Sequence, residues 1–348
     1  MERTRWDLVA LIFAAGLLAA AQFGKISLTL PLVAEAFGRS VAGVSVLVSL
    51  VGIMGLTLGV MAGGIAAAFG PGRTLLAGLL LAGAASLVQA TLPPFAWFAL
   101  SRGIEGLAHL ALVVAGPPLM AAAATDRTRP LVMGLWAVFF GASLAISSVT
   151  FPLVLTAGGL PLLFALHGVA MWVLAGALWR RVPRVPRTDI SLAFVRTHRD
   201  IYGRLRSVAP GLGFCCYTFL FIAAVAVLPP ALGRPGLALT LPLVTLATTL
   251  AGGALCRWFA PHHVAGFGYV GTAVGLAAEA MGVPLGVEVS FGFMGLIPGA
   301  SFAAIPALNA TPGNRARATG AIAQLGNLGT VTGTPVLAFV WSHAGTVG

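Results

Sequence analysis

Polar positions fall into short clusters along this chain. The stretches between them stay apolar for about 20 residues or more, the length an α-helix needs to cross a bilayer. Such stretches run 8–31, 42–68, 74–92, 95–124, 131–156, 160–179, 208–230, 237–259, 264–282, 285–308 and 318–342. Their connections are mostly short. The exception is the polar, arginine-rich stretch from Trp179 to Val208, which separates six spans from a further five. The pattern predicts an all-α polytopic membrane protein with about eleven transmembrane helices. Residues 1–179 form a six-helix bundle, 180–207 a basic linker and 208–348 a C-terminal bundle of five recognisable helices, with a twelfth not evident. Met1–Asp7 is charged and no small-residue cleavage site follows, so the run from Leu8 is expected to stay as a membrane helix rather than be removed.

Composition supports lipid as the solvent. Of 348 residues 58% are hydrophobic and 8% charged, with a mean hydropathy of +0.98, whereas a water-soluble surface needs about a quarter of its residues charged. The 45 glycines and 22 prolines fit membrane helices, where small residues let backbones approach closely. A net charge of +11 would suggest nucleic acid in a soluble protein. Here the charges sit in the connections instead, and no nucleic-acid partner is expected.

Their distribution orients the chain. Of 20 Lys and Arg, Arg39 and Arg234 fall on one side and two lie within spans, so the remaining sixteen share the opposite side with the N-terminus. By the positive-inside rule that side is cytoplasmic, and the expected location is the inner (plasma) membrane, crossed many times. The two basic residues within spans are Lys25, the chain's only lysine, and Arg102. Charges inside a membrane are costly and are functional candidates by default.

Local motifs add a family. The loop after the second span, Gly63-Gly64-Ile65-Ala66-Ala67-Ala68-Phe69-Gly70-Pro71-Gly72-Arg73, resembles the major facilitator superfamily pattern, with Ala67 and Ala68 where an Asp-Arg pair is usual. Gly70 and Arg73 keep the pattern. In the fourth span Arg102-Gly103-Ile104-Glu105-Gly106 is similar to the family's Arg, three residues, Gly. Leu107 to Met120 with Gly116-Pro117-Pro118, and Gly295-Leu296-Ile297-Pro298-Gly299, resemble the cyanate and nitroimidazole transporter branch, and Gly320 to Gly329 adds to the likeness. The resemblance implies the major facilitator fold, a cavity lined by spans 1, 4, 7 and 10, and alternating access. It also implies that Gly70 and Arg73 belong to a cytoplasmic gating latch, weakened here by the two alanines.

The intramembrane charges fall on that set of spans. Lys25 lies about 25 Å along the outward first span and Arg102 about 10 Å down the inward fourth, depths compatible with proximity. Arg102, Glu105 and His109 share one helix face by steps of three and four, and Gln22 precedes Lys25 by one turn. Two cations against one carboxylate favour a solute with negative character, bound by a forked guanidinium and a point-charge ammonium. The expected substrate-binding residues are Lys25, Arg102 and Gln22, with Tyr217 and Thr218 on the seventh span. Glu105 and His109 are the proton-coupling candidates, His109 because imidazole titrates near neutral pH. Against this, Arg102 and Glu105 can be a fixed pair that packs one helix, Lys25 can snorkel to the interface, and His109 can be a packing histidine.

The function read from these residues is a secondary active transporter of a small anionic or polar organic solute, symported with protons. It needs no cofactor and is expected as a monomer in the bilayer. Proton-antiport efflux of lipophilic compounds and a non-transporting membrane scaffold or sensor are the alternatives. A copper-type metal importer using His167, Met171, Cys215 and Cys216 is a minor one, since core packing explains all four. No nucleotide-binding loop, zinc-protease motif or serine elbow is present, so an enzyme is not expected.

Overall fold

Long apolar helices dominate the computed structural model, which describes residues 3–125, 127–128, 132–133, 135–136, 138–182, 194–310 and 312–344. Part of the 180–207 linker expectation falls on 183–193, outside the described residues. The N-terminal half contains α1 (Trp6–Ser27), α2 (Leu30–Ala36), α3 (Val41–Phe69), α4 (Pro71–Ala90), α5 (Phe95–Ala123) and α6 (Phe139–Leu178). After a short α7 (Phe194–Tyr202), the C-terminal half contains α8 (Leu205–Ala231), α9 (Leu237–Leu255), α10 (Pro261–Ala280), α11 (Gly286–Met294), α12 (Leu296–Leu308) and α13 (Pro312–Ala344).

By length and apolar composition eight stretches of these helices can each cross a membrane, α11 and α12 together making one. The 40-residue α6 is two spans joined at Gly158 and Gly159, where the helix is broken. Gly159 has φ 63°, a left-handed conformation that glycine adopts without a Cβ clash. The chain reverses there: Ser143 bonds Leu17 O and Leu144 sits over Gly24, whereas His167 on the second arm is back beside Leu18 O. Counting the two arms separately and adding the less apolar α10 and α13 recovers the eleven spans read from the sequence. Gly295, with helical φ and ψ, is the junction between α11 and α12 within the tenth.

Packing divides the molecule unevenly between its two faces. On the face opposite the arginine-rich loops, one apolar cluster joins both halves, including Phe23, Ile26, Leu30, Phe98, Val225, Leu241, Val287 and Phe291. Toward the arginine-rich face the N-terminal half keeps its own core of Leu8, Ile12, Leu79, Leu112, Leu119, Met171 and Leu178. The halves also meet where α3 lies against α13. A Cβ on Gly55 would stand 2.3 Å from Asn327 Cγ, so the two helices approach as closely as a bare backbone allows.

Candidate functional site

Two helices bring the intramembrane charges together. Gly106 seats α5 on α3, since a Cβ there would lie 2.6 Å from Val51 O. That approach puts Arg102 within reach of the neighbouring backbone. Its Nε donates to Leu47 O at 3.0 Å and its Nη2 to Gln22 O at 2.9 Å, while Nη1 pairs with Glu105 one turn on. Lys25 comes across from α1 and places Nζ 2.6 Å from the other carboxylate oxygen. Gln89 of α4 donates to Glu105 Oε2 at 2.9 Å. Gln22, Lys25, Arg102 and Glu105 all have 0% exposure.

The network extends beyond the residues that the sequence singled out. Lys25 Nζ also donates to Ser86 Oγ at 2.9 Å, and the Phe164 ring lies 5.4 Å beneath it. Ser86 Oγ is 2.8 Å from Phe164 O and 3.2 Å from His167 Nδ1. His167 Nε2 faces Leu18 O at 3.0 Å, which assigns the imidazole proton to Nε2 and leaves Nδ1 an acceptor. One hydroxyl proton therefore has two acceptors, and the Ser86 rotor decides which receives it. When that proton points to Nδ1 rather than to Phe164 O, Lys25, Ser86 and His167 form a donor–acceptor chain leading away from Glu105. On the other flank His109 Nδ1 faces Ala19 O at 3.0 Å and Gln22 Oε1 at 3.1 Å, so its proton sits on Nδ1. Phe23 meets the same ring edge-on at 5.0 Å.

Five predicted residues, Gln22, Lys25, Arg102, Glu105 and His109, thus form one cluster. Ser86 and Gln89 join it unforeseen, as does His167, which the sequence had singled out only for the copper alternative. Their sequence signal was two polar side chains three apart on α4 and one on the second arm of α6, which spacing within either helix could not connect to α1. Tyr217 and Thr218 lie in the other half. Thr218 Oγ1 donates to Gly326 O at 2.7 Å and ties α8 to α13, while Tyr217 stacks on Phe221 at 5.2 Å and 17°.

Gly70 and Arg73 stand apart from the contacts between halves. Gly70, with φ 95°, ends α3 and starts α4, and Arg73 is exposed without an ion pair among the described residues. Between the halves Gln324 Nε2 donates to Leu56 O at 2.8 Å, and Tyr202 of α7 donates to Gln324 Oε1 at 2.8 Å. For the copper alternative, both ring nitrogens of His167 are engaged, and no group of three metal-ligand side chains gathers among the described residues. A second ionic cluster is on the far rim, where Arg234 bridges Glu279 at 2.9 Å and Glu288.

The comparisons with known proteins agree with this architecture. The family described as Major Facilitator Superfamily matches residues 12–334, and the chain belongs to it. No curated protein matches the sequence. Among solved structures it is similar to a bacterial homolog of the human lysosomal transporter Spinster in an inward-facing, occupied conformation. That likeness has a TM-score of 0.76 and 15% identity, over 97% of this chain and 82% of that one. The unoccupied inward-facing form gives a TM-score of 0.69 at 15% identity, over 98% and 82%. The human organic anion transporter MFSD10 (TETRAN) gives 0.67 at 20% identity, over 98% and 94%. At these identities the likeness is one of fold.

Proposed function

We propose that this membrane transporter is a proton-coupled carrier of a small organic anion or another solute with negative character. One observation carries the reading. Two cations and one carboxylate are buried together at 0% exposure, leaving one positive charge without a partner charge. An uncompensated buried charge is costly. Two events relieve it: an anion entering when the half opens, or a proton leaving through a donor–acceptor chain. A site in which those events compete couples solute to proton. Supporting the alternating-access part, the halves share one apolar core on the far face, while toward the arginine-rich face the N-terminal half keeps its own core and meets the other half along α3 and α13. The cytoplasmic placement of the arginine-rich face, the inner-membrane location and the likeness to the cyanate and nitroimidazole branch belong to this same reading.

Flux in proteoliposomes tests it. Labelled organic anions are expected to enter against their gradient when a proton gradient is imposed, and Lys25→Met is expected to abolish the proton dependence. Uptake that is unchanged in both Lys25→Met and Arg102→Lys would sink the anion site. A second reading, antiport of lipophilic compounds, is favoured by a cavity between the halves that no charged side chain lines. Export of hydrophobic dyes with no anion uptake would select it.

A further inference from the structure

The cavity between the two halves lies near the far face, and no residue of the charge network lines it. It has a volume of about 340 Å³ and is bounded by the end of α1 and start of α2, the first arm of α6, the end of α8 and the start of α9. No charged side chain lines it. Its walls are hydrocarbon with a few hydroxyls: Ser27, Ser147 and Ser148. Ser27 is 1% exposed, and its Oγ has no hydrogen-bond partner among the described residues.

Prolines leave carbonyls of residues in the same wall without their helical donor. A helical proline lacks the N–H that would bond the carbonyl four residues earlier. Pro152 in α6 thereby removes the helical partner of Ser148 O, and Pro229 in α8 that of Val225 O. Ala226 is the extreme case, because both the third and fourth residues after it, Pro229 and Pro230, are prolines. Its carbonyl has no N–H at either position a helix normally offers. Ser148, Val225 and Ala226 all line the cavity. A buried carbonyl without a donor is costly, and a ligand that supplies one recovers that cost.

We propose that this cavity binds a neutral, mostly hydrocarbon molecule carrying a hydrogen-bond donor, such as a medium-chain alcohol or primary amide. The volume is in the range of small-ligand sites, about 300–1,000 Å³. Hydrocarbon walls supply affinity and the freed carbonyls choose donors. An anion is disfavoured, since it loses its hydration with no cation in return and finds serine hydroxyls as its only side-chain donors. Binding is read without flux, so the site stands or falls separately from the transport reading.

The test uses the full chain in nanodiscs of dioleoylphosphatidylcholine and a diazirine-bearing ten-carbon primary alcohol, with crosslinks mapped by mass spectrometry. Label is expected on the peptides around Ser27, Ser148 and Ala226. 1-Decanol should compete about tenfold better than decane or 1-decanesulfonate, a difference of about 1.4 kcal/mol. Ala226→Trp and Leu155→Trp fill the cavity from opposite walls and should each remove the label; Ser27→Ala should weaken it. Thermal unfolding confirms that at least one filled variant is folded. Label that persists in a folded filled variant, equal competition by the sulfonate, or loss of label on adding phospholipid alone would overturn the proposal.

Discussion

The two halves solve the same packing problem with opposite chemistry. In the N-terminal half the first, third, fourth and sixth spans meet around three buried charges and a set of amide, hydroxyl and imidazole groups. In the C-terminal half the comparable place holds aromatic stacks of Phe214, Tyr217, Phe221 and Phe291, and its charges sit on the far rim as Arg234, Glu279 and Glu288. The second arm of α6 fills the groove between α1 and α4, with Trp172 pressed on Gly83 and His167 on Leu18 O. Between α8 and α10 there is instead an apolar cavity of about 390 Å³, lined by Cys215, Cys216, Tyr217, Tyr269 and Thr272 among others. The lesson is that specificity of charge and ease of deformation are segregated. One half is pinned by a buried charge network, the other by aromatic contacts and single hydroxyl-to-carbonyl bonds such as Thr218 to Gly326 O and Tyr269 to Gly213 O.

That contrast can be broken most sharply at its carboxylates. Glu105→Gln leaves Lys25 and Arg102 buried without a counter-charge, and the expected loss is about 3–5 kcal/mol. Glu288→Gln removes a carboxylate whose side chain is 20% exposed and leaves Glu279 on the same arginine, so about 0–1 kcal/mol is expected. Thermal unfolding in detergent checks both. Equal losses would mean that the rim cluster holds its half as firmly as the buried one.

Next in size is the seat of α5. Gly106→Leu drives carbons into the Val51 backbone and should cost about 1–3 kcal/mol, whereas Gly103→Ala, three residues earlier with nothing within 4 Å, should cost nothing beyond error. Disruption of the seat should also loosen Arg102 from Leu47 O. Ser86→Ala is a smaller change. It removes the hydroxyl between Lys25 and His167 while Glu105 stays on the ammonium, and should cost about 1 kcal/mol, the net worth of one hydrogen bond. A loss well below 1 kcal/mol would mean that Lys25 needs only Glu105, and that the branch toward His167 is incidental.

The spans and the charge cluster were legible in the sequence for different reasons. Apolar length is a local property, so 95–124 and 237–259 correspond to Phe95–Ala123 and Leu237–Leu255 within a few residues. The break at Gly158–Gly159 was readable too, because paired glycines before Pro161 cannot continue a helix cheaply. Lys25, Arg102 and Glu105 stood out because any charge in a membrane does. What was not legible is who closes the network. Ser86, Gln89 and His167 are ordinary polar residues in their own helices, and only the return of α6 against α1 and α4 gives them partners. The helix that meets Gly55 was equally hidden, since close approach depends on two surfaces and spacing reports one. Gly70 and Arg73, singled out by resemblance, show the converse: a loop pattern can be kept while the halves are joined elsewhere, through Gln324 and Leu56.

The smallest effects are expected in the C-terminal cavity, and they sharpen the contrast from the yielding side. Thr272 is 7% exposed; its hydroxyl bonds Gly268 O within its own helix at 2.7 Å and reaches Ser290 O of α11 only at 3.3 Å, so Thr272→Val exchanges a mainly local bond for a methyl group. Cys216 is an exposed thiol on the cavity wall, and Cys216→Phe adds a ring where there is space. If that half is held by non-directional contact, each change should move stability by about 1 kcal/mol or less, because volume can be taken up without stranding a polar group. The double variant should then equal the sum of the singles within about 0.5 kcal/mol, as for independent sites. The matching pair in the other half, Ser86→Ala with His167→Phe, shares one hydroxyl bond and should depart from additivity by more. Thermal unfolding of the six proteins measures both couplings. Strong coupling between Thr272 and Cys216 would mean that the apolar half is as tightly specified as the charged one, and the segregation drawn above would fail.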